Sequence, residues 1–399
     1  MASQKDTKTF SAAILIVDDN VKNLQVLGGF LQREGMKVEF ALDGMSALSW
    51  VEKKKFDLIL LDIMMPGMDG FEVCSLIKKN PASSEIPIIF ITAKTDSPSL
   101  IKGFESGAVD YITKPFIQSE LLVRIKTQIS IKKSKEEIIH YLAEIEERNK
   151  NISASIEYAK YIQNAVLNTS ANNLKYLSEY FILYLPKDIL SGDFYWLCKT
   201  DKEIVIAVMD CTGHGVPAAF MSILGITLLN ETVLHDHILQ PDKILESLSS
   251  KIISALGQQK GSAFIKDGIE GSIICFDPGS NKLLYAGSFN PMIHIHADEI
   301  FVIKADRIPI GYYEKKGNFT LHETHIEKND TIYLFSDGIN DQFGGTQDKR
   351  FMIKQLKEIL LFNHKKDMNR QMEILIEELN RWKGDLVQTD DILVLGIRI

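Results

Sequence analysis

The chain has 399 residues, of which 45% are apolar, enough for two or three globular domains that each bury a core. Its 53 acidic and 45 basic residues give a net charge of −8, which argues against a protein that holds nucleic acid through a basic face. The four cysteines form no CxxC pair, and this favours reduced thiols in a cytosolic protein over disulfides or zinc ligands.

The first stretch of the chain is polar, and we expect a flexible tail over residues 1–12. This tail lacks the apolar core of a signal peptide. The longest nearly unbroken apolar stretch, 216–229, is too short to cross a bilayer as a helix. We therefore expect a cytoplasmic protein with no membrane span.

Short apolar runs alternate with amphipathic stretches between residues 13 and 128. The runs 14–17, 58–61 and 88–91 are continuously apolar, as in parallel strands that are covered on both faces. The stretches 23–33 and 44–53 between them have helical spacing. This alternation predicts a doubly wound α/β domain over 13–128.

Polar side chains follow these three runs and a further run, 111–113, at the point where each predicted strand ends. They are Asp18, Asp19, Asp62, Thr92 and Lys114. Because the carboxyl ends of parallel strands meet at one edge of a sheet, we expect these groups to lie together. Three carboxylates suit one Mg²⁺ ion, and a carboxylate beside a cation can attack a phosphoryl group.

The motifs around these residues resemble the CheY-like receiver family of two-component signalling. They are Val17-Asp18-Asp19-Asn20, 61–70, Ile91-Thr92-Ala93 and Thr113-Lys114-Pro115-Phe116. The resemblance implies that Asp62 accepts a phosphoryl group from a sensor histidine kinase, that Asp18, Asp19 and Asp62 hold Mg²⁺, and that Thr92, Tyr111 and Lys114 form the switch. It also implies a cis bond between Lys114 and Pro115. A receiver fold that is never phosphorylated is the alternative.

A seven-residue repeat begins near residue 131 and predicts a coiled-coil linker helix over 129–170. One seam position is occupied by Ile131, Ile138, Ile145, Ile152, Ala159 and Val166, and the other by Leu142, Asn149, Ile156 and Gln163. This 4-3 spacing, with a polar Asn149 inside the seam, is typical of a coiled coil and predicts a homodimer. The alternative is one amphipathic helix packed on its own domain.

The region 171–399 is rich in strand-like runs with helical stretches grouped between them. The runs are 181–185, 204–209, 272–276, 283–286, 292–296, 331–335 and 392–399, and the helical stretches are 216–233, 242–256, 349–361 and 368–382. Strands in runs and helices in groups predict an α+β domain, a sandwich of sheets flanked by helices.

Aspartates stand at the edges of these apolar runs. They are Asp193, Asp210, Asp337, and the pair Asp390-Asp391. A single aspartate after a strand is commonly a turn former, but four such positions predict convergence on metal ions. Carboxylates, carbonyls and water suit Mg²⁺ or Mn²⁺ better than Zn²⁺.

The motifs in this region resemble the PPM family of metal-dependent protein phosphatases, in its SpoIIE-like bacterial branch. They are 191–195, 210–219, 286–291, Ser336-Asp337-Gly338 and Thr389-Asp390-Asp391. The resemblance implies two Mg²⁺ or Mn²⁺ ions, with Asp210 bridging them and the backbone carbonyl of Cys211 binding one. It assigns Asp337 and Asp390 to the other ion, and places Asp193 and Asp341 near the first ion or its waters. Asp210, Asp337 and Asp390 are thereby the expected catalytic residues.

The role of His214 stays open at this point. Thr212 occupies the position of the histidine in the eukaryotic pattern, so a general-acid role for His214 does not follow from the resemblance, although an imidazole titrates near neutral pH. Leu393 stands where the family often has threonine. His235, His237, His294 and His296 are interpreted as surface or structural residues.

Together these features predict a response regulator whose aspartyl phosphorylation controls a metal-dependent protein serine/threonine phosphatase. By resemblance, the substrate is a phosphoprotein of the anti-sigma-factor antagonist type. The alternative is an inactive phosphatase fold that acts as a protein-binding adaptor, which we expect to have lost metal-binding acids. The absence of a glycine-rich nucleotide loop disfavours a histidine kinase or a nucleotide cyclase.

Overall fold

The computed structural model describes residues 11–93, 97–258, 268–314, 317–345 and 348–399. Most of the tail predicted over 1–12 lies outside the described residues. The chain divides into two compact units, Met1–Asn149 and Lys150–Ile399. The domain boundaries predicted from the sequence, 13–128, 129–170 and 171–399, remain predictions.

The first unit is built on a five-stranded parallel sheet with the strand order β2-β1-β3-β4-β5. Its elements are β1 (Ala13–Val17), α1 (Val21–Arg33), β2 (Lys37–Ala41), α2 (Gly44–Lys53), β3 (Leu58–Asp62), α3 (Gly70–Lys79), β4 (Ile88–Thr92), α4 (Ser97–Glu105), β5 (Asp110–Thr113) and the start of α5 (Gln118–Ala171). Strands β3 and β4 are buried at every position because helices cover both faces of the sheet. The predicted doubly wound receiver fold is confirmed.

Helix α5 contributes to the core of both units. Ile125 and Ile129 are fully buried in the first unit, whereas Leu167 is buried in the core of the second. Between these positions, the predicted seam residues Ile138 and Ile152 are each 58% exposed. Helix α5 is continuous from Gln118 to Ala171 and therefore includes the whole of the predicted linker 129–170.

The last part of the predicted seam faces its own unit. Gln163 is buried, and Val166 is half-buried against the core that contains Leu167. The alternative prediction of a helix packed on its own domain holds for this end of α5. The exposed seam positions from Ile131 to Ile152 are the part of the predicted seam that is accessible for pairing in a coiled coil.

The second unit contains two five-stranded antiparallel sheets and one short hairpin. The strands are β6 (Glu179–Leu185), β7 (Phe194–Lys199), β8 (Ile204–Cys211), β9 (Ile269–Phe276), β10 (Lys282–Ser288), β11 (Met292–His296), β12 (Glu299–Ile303), β13 (His322–His325), β14 (Thr331–Phe335), β15 (Phe343–Gly344), β16 (Lys349–Arg350) and β17 (Ile392–Arg398). The strand orders are β13-β10-β9-β8-β7 and β12-β11-β14-β17-β6, and β15 pairs with β16.

Helices cover the outer faces of the two sheets. They are α6 (Val216–Asn230), α7 (Pro241–Leu256), the short α8 (Gly338–Asp341), α9 (Met352–Asn363) and α10 (Met368–Lys383). Ile226 of α6 and Leu245 of α7 share a core with one sheet, and Leu375 of α10 shares a core with the other. A third core, which includes Ile274 and Leu395, fills the space between the sheets. The predicted sandwich of sheets flanked by helices is confirmed.

The differences from the predicted elements have local causes. The helix predicted over 349–361 begins at Met352, because Lys349 and Arg350 pair with Phe343 and Gly344 as a hairpin. Strands β12 and β13 were not predicted, and both are edge strands. Strand β13 reads His-Glu-Thr-His and has no apolar run, whereas the short apolar run of β12, Glu-Ile-Phe-Val-Ile, was missed.

One helical run among the described residues has the length and composition of a membrane span. It covers Val216–His235, 20 residues, and 56% of its window is buried inside the protein. This run is longer than the apolar stretch 216–229, which by itself is too short to cross a bilayer. The added length comes from a π-helical turn, Glu231–His235, that follows α6. Its burial against Phe194 and Ile273 is that of a core helix.

Candidate functional site

The acidic residues of the first unit meet at the carboxyl edge of its parallel sheet. Carboxylate oxygens of Asp18, Asp19 and Asp62 all lie within 4.8 Å of one another. Among the described residues, this is the only group of three or more His, Cys, Asp or Glu side chains that close together. Three oxygen ligands at this spacing fit one hard divalent cation.

Lys114 holds two of these carboxylates. Its Nζ atom donates to Asp62 Oδ2 at 2.6 Å and to Asp18 Oδ2 at 2.9 Å, while the amide of Asn23 donates to both oxygens of Asp18. Burial raises the pKa of Asp62, and the nearby ammonium group opposes that rise. The peptide bond between Lys114 and Pro115 is cis, as expected from the resemblance.

The two predicted switch residues lie on neighbouring strands. Thr92 ends β4 and is fully buried, and its carbonyl accepts a hydrogen bond from the backbone of Lys114 at 2.8 Å. Tyr111 lies on β5, half-buried, with its ring edge-on to Phe104 at 6.1 Å. Thr92 follows Ile91, which lies opposite Asp62 in the pairing of β3 with β4, and Tyr111 lies one strand further along the sheet. The role of both residues in the switch stays a prediction.

The acids of the second unit come from both sheets. Asp193 precedes β7 and Asp210 lies near the end of its partner β8, whereas Asp337 follows β14 and Asp390 precedes its partner β17. Ser336 Oγ joins the two sheets because it donates to Asp193 Oδ2 at 2.5 Å and accepts from the backbone N–H of Leu393 at 3.0 Å. The sheet edges that carry the predicted acids are thereby held together.

This cluster is rich in buried negative charge. Burial raises the pKa of Asp193 and of Asp210 well above the ordinary value, and the neighbouring carboxylates add to the rise. Asp210 shares a hydrogen bond with Asp337, whose pKa burial also raises. Carboxylates that raise one another's pKa with little cationic compensation fit a site for Mg²⁺ or Mn²⁺.

The side chains of Asp391 and its neighbour Asp390 make different contacts. Its two carboxylate oxygens accept from the backbone N–H groups of Lys187 and Gly192, both at 2.7 Å, and the side chain is buried. Asp390 is exposed, and its Oδ1 accepts from the backbone of Asp391 at 2.9 Å. Asp391 therefore fastens the turn before Asp193, while Asp390 keeps oxygen atoms for a ligand.

Two glycines permit the close approach of these segments. A Cβ atom on Gly338 would lie 1.8 Å from the carbonyl oxygen of Asp391, and one on Gly192 would lie 3.0 Å from that of Cys211. The Cys211 carbonyl, a predicted ligand, thus lies beside the turn that carries Asp193. A side chain at residue 338 would push the Asp337 and Asp390 segments apart.

The remaining predicted site residues lie at the rim. Asp341 Oδ1 accepts from Arg350 Nη1 at 2.9 Å, and its charge raises the pKa of Asp337. His214 pairs through Nδ1 with Asp188 Oδ2 at 2.8 Å and is 60% exposed. These contacts place Asp341 near the acids and give His214 a carboxylate partner on the surface.

Sequence reasoning missed Glu270. It lies directly opposite Asp210 in the pairing of β8 with β9. Burial, and then the charge of Asp337, raise the pKa of Glu270 to about 7. An acid within the strand Ile269–Phe276, which is otherwise buried at almost every position, was the available signal.

Sequence reasoning also missed the contact between α5 and the Asp193 turn. The amide nitrogen of Gln163 donates to the Ser191 carbonyl at 2.6 Å and to Ser222 Oγ on α6 at 2.9 Å. Ser191 Oγ in turn accepts from the backbone N–H of Asp193 at 3.1 Å. Gln163, predicted as a seam residue, instead connects the helix to a predicted metal ligand.

Two of the other histidines form a separate cluster. His294 Nε2 and His296 Nδ1 both bond the carboxylate of Asp330, at 2.8 and 2.9 Å. His294 and Asp330 are buried, and the hydrogen bond to Asp330 raises the pKa of His296. These bonds join β11 to Asp330, directly before β14, and fit the interpretation of these histidines as surface or structural residues.

Comparison with known proteins identifies both parts of the chain. The response regulator receiver domain profile matches residues 14–126, and the profile of Stage II sporulation protein E (SpoIIE) matches residues 200–399, half of the chain. The SiaA-PP2C domain of Pseudomonas aeruginosa is similar in structure, with a TM-score of 0.58 and 27% identity over 63% of this chain and 98% of that domain. Both resemblances drawn from the sequence are confirmed.

The curated relatives match the receiver part. Response regulator PleD of Caulobacter vibrioides is 44% identical over 117 residues, 29% of this chain and 26% of that protein. The DNA-binding response regulator MtrA of Mycobacterium tuberculosis is 41% identical over 121 residues, 30% of this chain and 52% of that protein. The chain therefore spans between about a quarter and about half of the length of these relatives.

Proposed function

We propose, from the premise that this chain belongs to the SpoIIE family and carries a response regulator receiver domain, that it removes phosphate from phosphoserine or phosphothreonine of a protein. The observation that carries the proposal is the bond from Ser336 to Asp193, which holds the acid-bearing edges of two sheets together. An adaptor that had lost activity has no need of these acids, and all of them are present.

The acids of the second unit are proposed to hold two Mg²⁺ or Mn²⁺ ions. Asp210, Asp337 and Asp390 are the catalytic ligands, assisted by Asp193, Asp341 and the Cys211 carbonyl. When bound, such ions supply a hydroxide nucleophile near neutral pH and neutralise charge on the phosphoryl oxygens. Ser336 and Asp391 orient this set through the hydrogen bonds described above.

Control is proposed to come from the first unit. Asp62 is the phosphoacceptor, Asp18 and Asp19 complete a Mg²⁺ site with it, and a sensor histidine kinase donates the phosphoryl group. The close carboxylate oxygens and the Lys114 contact support this assignment, because together they place a nucleophile beside positive charge. Thr92 and Tyr111 would respond to the phosphoryl group.

The two activities are proposed to be coupled through α5. Gln163 near its end bonds the turn that carries Asp193, so a rotation or shift of the helix would disturb a metal ligand. The exposed positions from Ile131 to Ile152 suit pairing with a second copy of the chain in a parallel coil. Phosphorylation of Asp62 would alter this pairing and thereby raise or lower the rate of hydrolysis. Measuring that rate with and without a phosphoryl mimic distinguishes activation from inhibition.

The substrate proposed is a phosphoprotein of the anti-sigma-factor antagonist type, met in the cytoplasm. This class is suggested by the SpoIIE family membership of the output part. The acidic balance of the chain, with a net charge of −8, gives no support to nucleic acid as a partner.

The test is a Mn²⁺-dependent hydrolysis assay on the full chain, with p-nitrophenyl phosphate and a phosphoserine peptide. Beryllofluoride, which mimics the phosphoryl group on Asp62, is added in a parallel series. Hydrolysis that requires Mn²⁺ and changes with beryllofluoride supports the proposal. If neither series shows hydrolysis, the proposed phosphatase activity is contradicted. If the rates are equal in both series, the proposed control by the receiver is contradicted.

A further inference from the structure

The predicted metal-site acids of the second unit have one cationic side chain among their hydrogen-bond partners in the described part of the chain. It is Arg350, which donates from Nη1 to Asp341 Oδ1 at 2.9 Å. The positive charge of Arg350 also opposes the burial that raises the pKa of Asp337. A guanidinium group therefore stands at the edge of an otherwise anionic site.

The hairpin β15–β16 fixes the position of this guanidinium. Arg350 lies opposite Phe343 in the pairing of the two strands, and its Cζ atom lies 5.8 Å from the centre of the Phe343 ring. The carboxylate of Asp341 holds one end of the group and the aromatic face supports it. The side chain is nevertheless 54% exposed, so its other N–H groups are accessible to a ligand from solvent.

A purely structural role for Arg350 does not account well for its contacts with Asp341 and Phe343. A half-exposed ion pair adds little to stability because water screens both charges. Lysine would serve as well for such a pair, whereas arginine presents a planar fork that matches the oxygens of a phosphoryl group. The substrate of the proposed reaction brings a phosphate dianion into a site lined with carboxylates, and a fixed cation at the rim offsets that repulsion.

We propose that Arg350 binds the phosphoryl oxygens of the substrate and of the released phosphate, with Asp341 and Phe343 positioning its guanidinium group. This inference rests on the proposed phosphatase function and adds a residue that recognises the substrate without being a metal ligand. No bond is made or broken by Arg350. Its contribution is a charge-assisted hydrogen bond to the phosphoryl group.

The test compares Arg350→Gln and Arg350→Lys with Lys349→Gln in the full chain. Lys349→Gln is the matched control because it also removes one positive charge, at the neighbouring position of the same strand. Successive side chains of a strand point to opposite faces, so the Lys349 side chain lies on the face opposite to that of Arg350. Calorimetry with inorganic phosphate in saturating Mn²⁺ measures binding, and a separate titration measures Mn²⁺ affinity. We expect Arg350→Gln to weaken phosphate binding about tenfold, the loss of one charge-assisted bond at a half-exposed site.

Arg350→Lys should bind phosphate with intermediate affinity, since it keeps the charge but not the fork, and Lys349→Gln should match the wild type. Equal phosphate binding by Arg350→Gln and Lys349→Gln would overturn the inference. So would a loss confined to Mn²⁺ affinity, because Arg350 would then act only through Asp341, and so would a wild type that binds no phosphate. A wild type that binds phosphate through Arg350 but hydrolyses no ester contradicts the phosphatase proposal alone.

Discussion

Replacing Gln163 with Ala should both destabilise the second unit and weaken its hold on divalent cations. The side chain of Gln163 is only 2% exposed, and its amide nitrogen makes the bonds to Ser191 and Ser222. Ser191 precedes Asp193 by two residues and accepts a bond from its backbone. The substitution therefore removes support from a predicted metal ligand without touching the ligand.

The size of the effect follows from the two short bonds, 2.6 and 2.9 Å long. A buried neutral hydrogen bond contributes about 1 kcal/mol net, so the pair accounts for about 2 kcal/mol. The space left by the amide adds a cavity cost, which brings the expected loss to about 2–4 kcal/mol in the free energy of unfolding. For a unit of this size, the melting temperature should fall by about 5–15 °C.

The measurement is differential scanning calorimetry of the full chain, combined with the Mn²⁺ concentration that gives half-maximal hydrolysis. Asn164→Ala is the matched control, because it removes an exposed amide from the neighbouring position of the same helix. Gln163→Ala should lower the transition of the second unit and need more Mn²⁺, while Asn164→Ala changes neither. If the two variants melt together and need the same Mn²⁺, α5 does not support the Asp193 turn.

Three further predictions test other parts of the molecule. Asp210→Asn should nearly abolish Mn²⁺-dependent hydrolysis of p-nitrophenyl phosphate, because it removes the proposed bridging carboxylate; retention of most activity would reject that role. Asn149→Leu should tighten or re-register the coil, as seen by light scattering, and a wild type that is monomeric with and without beryllofluoride contradicts the coil itself. The Asp330 contact raises the pKa of His296, so its stabilisation is full below the unfolded pKa of about 6.5 and is lost as pH rises through the folded pKa. His296→Gln should therefore cost more stability in urea at about pH 5.5 than at about pH 9, and an equal cost at both would show that His296 does not titrate.

The receiver fold and its acid cluster could be predicted closely because their geometry is dictated locally. Its acids, Thr92 and Lys114 each end or follow a strand, and a parallel sheet brings such ends to one edge. The oxygens of Asp18, Asp19 and Asp62 meet within 4.8 Å as that rule requires. Strand periodicity was sufficient to place the acid cluster, whereas the roles of Asp62, Thr92 and Tyr111 were implied by the resemblance to the receiver family.

The second site could be predicted only in part, because its assembly depends on contacts between sheets. The acids were found from their motifs, but the bond from Ser336 to Asp193 joins residues 143 positions apart, and no local pattern marks it. For Gln163, the sequence pattern likewise did not reveal the contact that the folded chain makes. Its place in a seven-residue repeat predicted a partner helix, whereas the tertiary structure gave it a partner in its own unit.

The environments of the aspartates fit the different roles that we propose for them: a nucleophile that also binds Mg²⁺ in the first unit, and metal ligands alone in the second. In the first unit, Asp62 Oδ2 accepts a hydrogen bond from the Lys114 ammonium, and Oδ1 accepts a long 3.3 Å bond from the backbone N–H of Met64. That oxygen is weakly held, and a fixed positive charge lies beside it, as attack on a phosphoryl group requires.

In the second unit, Asp193 is held by the Ser336 hydroxyl, and Asp210 by Asp337, with no fixed ammonium beside either carboxylate among the described residues. Burial without a cation raises the pKa of both groups, and the divalent ions that we propose would stabilise their charged forms. In the proposed reaction of the second unit these carboxylates serve as metal ligands, and water attacks phosphorus. The ammonium of Lys114 in the first cluster, and the lack of an ammonium beside Asp193 and Asp210 among the described residues, therefore support the different roles that we propose for the two sites.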